Sequence, residues 1–326
     1  MRSVLLELNS RRTPLILDGA MGTEIQRRGV DTGLPMWSAN ALFSKPHLIE
    51  QIHAEYINAG ADIITSNTFR TTRRTMRRAN LPDRSKQLTE TAVQLAIRAR
   101  EQFPDREVLI AGSMAPLEDC YRPDLVPADA ELHYEHMELA ERLAVAGVDF
   151  LLVETMNTVR EAYAACAAAL ATGKEAIVSF VCNPDGTLLS GETLEDAVRS
   201  LSELKPAGFA INCVSPRHME KAISSLTPHL PGLLPGSIVA VYGNIGNPES
   251  DVHGWEFTHD VSEEQYAEHS AEWVRMGVSI VGGCCGTTPA YIRGVAGAVQ
   301  RTTDLSNRKS QIALRTPEAS LKKSKE

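Results

Sequence analysis

Eight short apolar runs recur between Pro14 and Val281, separated by longer stretches with helical periodicity. The runs lie at residues 15–18, 62–67, 108–112, 149–154, 176–181, 208–212, 238–242 and 279–281. They are rich in Val, Ile and Leu and do not alternate with polar residues, as expected of parallel strands buried on both faces. Helices are expected at 46–59, 83–102, 129–146, 158–171, 194–204, 217–226 and 263–276. Several of these end at glycines placed as C-caps, namely Gly60, Gly147, Gly173 and Gly277. Eight strands with intervening helices predict an α/β fold, a single (β/α)8 TIM barrel, rather than an open doubly wound sheet. No G-x-G-x-x-G fingerprint follows the first run, which weakens a dinucleotide-binding alternative. The barrel domain is expected over 1–301, and the polar, lysine-rich 302–326 reads as a disordered tail.

Composition narrows the function classes. A formal charge of -8 argues against a nucleic-acid binder, which would carry a basic face. No apolar run approaches the roughly 20 residues of a membrane span. Val4-Leu5-Leu6 is too short an apolar patch to serve as a signal peptide. Six cysteines in 326 residues are too few and scattered for a disulfide framework, so a reducing cytoplasm is the simplest setting.

In such a barrel the active site is assembled where strands end and βα loops begin. Those positions carry Asp18-Gly19-Ala20, then Asn67-Thr68-Phe69, then Glu154-Thr155. They continue with Asn212-Cys213, Gly243-Asn244 and Cys284-Cys285. Adjacent residues of an extended strand point to opposite faces, so two neighbouring thiolates could not share a metal there. Gly282, Gly283 and Gly286 allow backbone angles that could turn both sulfurs to one point. Thr287, Thr288 and Pro289 then read as the cap and first turn of a helix. Cys213, about a quarter-turn around the same rim, supplies a third ligand. Three cysteines leave one tetrahedral position of a zinc ion open, the arrangement of a catalytic site. Such a site suits alkyl transfer to a sulfur, because it converts a thiol of pKa roughly 8.5 into a nucleophilic thiolate at neutral pH.

Asp18-Gly-Ala-Met-Gly-Thr23, Ala59-Gly-Ala-Asp62, Thr65-Ser-Asn-Thr-Phe69, Asn212-Cys213 and Gly282-Gly-Cys-Cys-Gly-Thr287 occur in that order. This ordered set, spanning about Pro14 to Arg301, resembles the homocysteine S-methyltransferase family. The resemblance implies a zinc-dependent barrel that methylates homocysteine to methionine, with Cys213, Cys284 and Cys285 as both the catalytic and the metal-holding residues. It also implies that Asp18 and Glu154 help to hold the amino acid's ammonium group, with backbone near Gly19 and Thr68 around its carboxylate. Trp37 and Asn244 complete the expected substrate contacts.

Family members use S-methylmethionine, betaine or a cobalamin-borne methyl group, and Trp37-Ser-Ala resembles the S-methylmethionine branch. Aromatic faces at Trp37, Tyr242 and Trp255 could hold a sulfonium charge. Two features depart from that branch, the loop Leu117-Glu-Asp-Cys-Tyr-Arg-Pro123 and the basic series Arg70, Arg73, Arg74, Arg77 and Arg78. Other readings stay open. One is a homocysteine-binding subunit fed by a separate corrinoid protein; another is a barrel methyltransferase that uses betaine. A third is a redox protein using Cys284 and Cys285 as a vicinal disulfide.

Plainer readings cover the remaining residues. Cys166 reads as a small core residue in an alanine-rich helix, and Cys120 and Cys182 as bland. The arginine series reads as a solvated helical face. His253 carries no assignment, since it could line the site or pack a loop.

Overall fold

The computed structural model describes Leu5, residues 13–248, 255, 256, 258 and 260–315, with side chains described as far as 305. The proposed tail beyond 315, His253, the side chain of Trp255 and most of the first twelve residues lie outside the described residues.

Eight parallel strands form one sheet: β1 (Leu15–Ile16), β2 (Ile63–Thr65), β3 (Leu109–Met114), β4 (Phe150–Met156), β5 (Ala176–Phe180), β6 (Gly208–Asn212), β7 (Ile238–Gly243) and β8 (Ile280–Gly283). Their order is β1-β8-β7-β6-β5-β4-β3-β2. The ring closes through a parallel bridge between Leu17 and Ile63, with Asp18 N donating to Ile63 O at 2.9 Å and Asp62 N to Ile16 O at 2.7 Å. The chain is a (β/α)8 barrel.

Strand parity separates two apolar layers. Leu17, Ile63, Leu109, Phe150, Ile177, Ala210, Ile238 and Ile280 pack together inside the barrel, with Leu5 among them. Their strand neighbours, such as Leu151, Val153, Val178, Ile211, Val239 and Val241, pack outward against the helices. Both faces are therefore buried, which is why the strands read as continuous apolar runs. The same parity, carried two or four residues further toward the strand ends, points Thr65, Ser113, Glu154, Ser179, Asn212 and Tyr242 to the interior. The floor of the barrel is thus apolar and its top layer polar.

The surrounding helices follow their sequence signals. Two of them, α1 (Pro46–Ala59) and α2 (Asp129–Ala146), run between the expected residues and end at Gly60 and Gly147, whose φ of 115° and 103° admit glycine readily. The expected helix over 83–102 is a 3-10 turn, Pro82–Arg84, followed by an α-helix, Ser85–Glu101. The last helix, Pro289–Arg315, passes the point where the sequence pattern fades. Hydroxyls of Thr302 and Thr303 donate to the carbonyls of Ala298 and Val299, and no glycine or proline interrupts the turns that follow.

The arginine series is not simply a solvated face. Arg73 pairs with Glu138 of α2, and Arg74 reaches Glu118, Glu131 and Glu135 at 2.9, 2.7 and 2.7 Å. Arg78 also pairs with Glu118. Glu118 and Glu135 are buried, so their charges depend on these guanidinium groups. Arg74→Ala is expected to lower the unfolding free energy by about 2 kcal/mol in urea titration, since both carboxylates lose their shared partner. A loss below about 0.5 kcal/mol would restore the reading of a solvated surface.

Candidate active site

The polar top layer opens into a cavity of about 350 Å³ at the C-terminal end of the strands. Its wall includes Asp18, Gly19, Trp37, Glu154 and the three cysteines of the rim.

Cys213 follows β6 at a φ of +53°, while Cys284 and Cys285 follow β8. Their Sγ atoms all lie within 4.8 Å of one another, with Cys213 3.1 Å from Cys284 and 3.8 Å from Cys285. Among the described residues this is the one group of three such side chains close enough to hold a metal ion. Tetrahedral coordination with metal–sulfur bonds of about 2.3 Å separates sulfurs by about 3.8 Å, so the donors need move little to share an ion. Hydrogen-bond contacts with Cys284 and Cys285 hold the Cys213 thiol well below its usual range, and that same contact with Cys213 pushes the other two up. Three thiols this close cannot all ionise unless a cation lies between them. The cluster fits a soft metal ion.

The loop bearing the cysteine pair is pinned on several sides. Cys284 N donates to Gly243 O, Ile245 N to Cys285 O and Gly286 N to Thr23 Oγ1, at 2.8, 2.7 and 2.9 Å. The Thr287 hydroxyl closes the turn onto Cys284 O at 2.7 Å. Gly286 alone of the three flanking glycines has a positive φ, +83°, and a Cβ there would lie 1.9 Å from Ile245 O. The expectation that Gly282 and Gly283 serve as turn residues is corrected. They are in β8, where a Cβ would strike Leu17 and Thr287 respectively, so they supply room rather than turning.

Two carboxyl groups face the same cavity. Asp18 accepts from Thr65 N at 2.7 Å and from the Thr65 hydroxyl at 2.9 Å; burial nevertheless raises its pKa to about 8. Glu154 accepts from the Ser113 hydroxyl and has the Tyr242 hydroxyl 3.5 Å from its other oxygen, and burial raises its pKa to about 7. Neither has a cationic partner among the described residues, so an ammonium group would suit both.

Residues 15–299 match the family model described as homocysteine S-methyltransferase. This chain belongs to the homocysteine S-methyltransferase family. It is 29% identical to homocysteine S-methyltransferase 2 of Arabidopsis thaliana, over 86% of this chain and 91% of the relative. It is also 29% identical to selenocysteine Se-methyltransferase of Brassica oleracea var. italica, over 86% and 87% of the two chains. The metallated form of the homocysteine methyltransferase MmuM from Escherichia coli superposes with a TM-score of 0.77 at 30% identity, covering 89% of this chain and 98% of that one. As a member of this methyltransferase family the chain is an enzyme.

Of the residues expected in this homocysteine S-methyltransferase site, the cavity brings together Asp18, Gly19, Trp37, Glu154, Cys213, Cys284 and Cys285. Gly19 is held so closely that a Cβ would lie 2.8 Å from both the Thr287 hydroxyl and Tyr56. Thr68 and Asn244 are off the wall. The Thr68 hydroxyl donates to Ser113 O and its N–H to Ser66 O, so it props the wall from behind and leaves Ser66 and Asn67 in front. Asn244 is turned toward its own loop, with its N–H on Val214 O and its amide on Gly246 O. Tyr242 serves Glu154 with its hydroxyl.

Sequence reasoning gave no role to Tyr121, whose hydroxyl lies 3.5 Å from Cys213 Sγ. It placed Asn212 on the rim without a role of its own; the side-chain oxygen accepts from Thr155 N and the Ser179 hydroxyl beneath the cysteines. Thr155 and Trp37 join Cys213 in the left-handed backbone region, at φ of +59° and +45°. Strained backbone of this kind collects at functional sites.

Proposed function

We propose that this enzyme transfers a methyl group from S-methylmethionine to the thiol of homocysteine, with zinc held by Cys213, Cys284 and Cys285. The observation that carries the reading is the convergence of three thiols with two buried carboxyl groups around one cavity. Three sulfur donors at near-tetrahedral spacing favour zinc, which has no geometric demand of its own and tolerates an open fourth position. Zinc held there would lower the pKa of the acceptor thiol and keep its sulfur electron-rich.

The chain's own groups do the positioning. Asp18 and Glu154 bind the ammonium of homocysteine, and backbone at Gly19 meets its carboxylate. The acceptor sulfur is thereby set against the cysteines. Trp37 and Phe69, an edge-to-face pair with centroids 5.9 Å apart, offer aromatic surface to a sulfonium. In the transfer the homocysteine sulfur, its thiol proton released to solvent, attacks the methyl carbon and a new C–S bond forms. The donor's S–CH3 bond breaks with its electron pair staying on the donor sulfur, so two molecules of methionine result. A sulfonium leaves as a neutral thioether and needs no acid, so alignment is the main requirement. Among the described residues no helix is long and apolar enough to cross a membrane.

The test is methionine formation by the zinc-loaded protein from homocysteine and S-methylmethionine, with no folate, cobalamin or second protein. Turnover that a zinc chelator abolishes and zinc restores is expected. Turnover with betaine but not S-methylmethionine would replace the donor. Turnover only when a methylated corrinoid protein is supplied would replace the whole donor scheme.

A further inference from the structure

We infer that Arg70 is the carboxylate anchor for the methyl donor, so that the enzyme selects an onium compound that also carries a carboxylate. This rests on the reading of the cavity as a methyl-transfer site. Arg70 differs from its arginine neighbours. Arg73, Arg74 and Arg78 are each held by glutamates and Arg77 is exposed, whereas Arg70 is half-buried with no carboxylate partner among the described residues. Instead it lines the cavity wall. One guanidinium nitrogen donates to Glu118 O at 3.1 Å, and the guanidinium carbon stands 5.4 Å from the centre of the Phe69 ring. Its Nε is buried and has no hydrogen-bond partner among the described residues. A guanidinium on the cavity wall, fixed by these two contacts and with no carboxylate of its own, is preorganised for a ligand carboxylate.

The position decides which substrate it serves. Asp18 and Glu154 are buried in the barrel's top layer with the cysteines, which places the acceptor deep. Phe69 and Arg70 are only half-buried, on the loop beyond β2, and Leu34, 59% exposed, marks the mouth of the same cavity. In-line displacement needs the acceptor sulfur, the methyl carbon and the donor sulfur in a row, and with the acceptor held deep the donor falls to this outer half. There the Trp37–Phe69 pair offers a surface for the onium charge and Arg70 a partner for the carboxylate. Asp119, on the same wall, supplies negative charge for the ammonium of an amino-acid donor.

Arg70→Gln should raise the KM for S-methylmethionine about 30-fold, the worth of one charge-assisted hydrogen-bonded pair, with kcat and the KM for homocysteine little changed. Trimethylsulfonium, an onium without a carboxylate, should be a poor donor for the wild type and no poorer for the variant. Calorimetry with S-methylmethionine alone, where no acceptor is present, should show the same 30-fold loss. Equal affinity of wild type and variant for S-methylmethionine would overturn the inference. So would an equal loss for both onium compounds, which would mean that Arg70 only shapes the loop, or a rise in the KM for homocysteine instead. Failure of the wild type to bind either S-methylmethionine or glycine betaine would also overturn it. Arg70-dependent binding of S-methylmethionine with no methionine formed on adding homocysteine would leave the anchor standing and remove the proposed donor.

Discussion

Cys285→Ser is expected to abolish stoichiometric zinc and to lower kcat/KM for methyl transfer by at least about a thousandfold. Loss of a supporting partner around a metal ligand already costs about 10–100-fold, and a ligand itself costs more. The case rests on geometry: Cys285 Sγ is 3.8 Å from Cys213, and the backbone of Cys285 is fixed by Ile245 N at 2.7 Å. A serine therefore keeps its place in the loop and removes only the soft donor. Zinc content by elemental analysis and activity should fall together, while circular dichroism keeps the helical signal of the barrel. Full zinc and full activity in the variant would remove the three-thiol centre from the mechanism, and with it any Cys284–Cys285 disulfide, which also needs the lost sulfur.

Glu154→Gln carries the second large effect, an increase of about a hundredfold in the Kd for homocysteine, because a buried charge partner for the ammonium is removed without changing shape. Its pH dependence follows from the raised carboxyl groups. Burial lifts Glu154 from 4.5 to about 7 and Asp18 from 3.8 to about 8. Below these values the groups hold protons and cannot pair with an ammonium, so homocysteine affinity should rise between about pH 6 and 8.5, with protons released on binding. Stability of the free enzyme runs the other way. With folded pKa values above the unfolded ones, the folded state binds more protons between about pH 4 and 8, so its stability falls as pH rises through that window. Thermal unfolding against pH, with and without homocysteine, reads both trends, and Glu154→Gln should flatten each. An affinity independent of pH in the wild type would exclude these carboxyl groups as the ammonium site.

The edges of the site were harder to read than its centre. Thr68 follows a strand end and its backbone was expected near the substrate carboxylate, but its N–H is taken by Ser66 O and its hydroxyl by Ser113 O. Tyr121 and Arg70 were visible only as departures from a loop pattern. Tyr121 reaches Cys213 because its loop is tied down elsewhere, with Leu117 N donating to buried Glu161 at 2.8 Å and Asn157 donating to Cys120 O at 3.0 Å. No local spacing encodes those ties. Likewise the arginine spacing showed one helical face, but the glutamates that claim Arg73, Arg74 and Arg78 are 40 to 65 residues away.

By itself the sequence determined the barrel, the order of its strands along the chain, and the three cysteines and two carboxyl groups at strand ends. The reason is periodicity: runs buried on both faces demand parallel strands, and strand ends in such a barrel share one rim. Tertiary structure decided which rim side chains turn into the cavity and which are taken by a neighbour. It closed the ring at Leu17 and Ile63, kept Gly282 and Gly283 in the strand for room, and left Arg70 facing the cavity without a carboxylate partner among the described residues. Those outcomes depend on contacts between segments far apart in the chain, where hydrogen-bond competition and close packing, not local pattern, set the direction of a side chain.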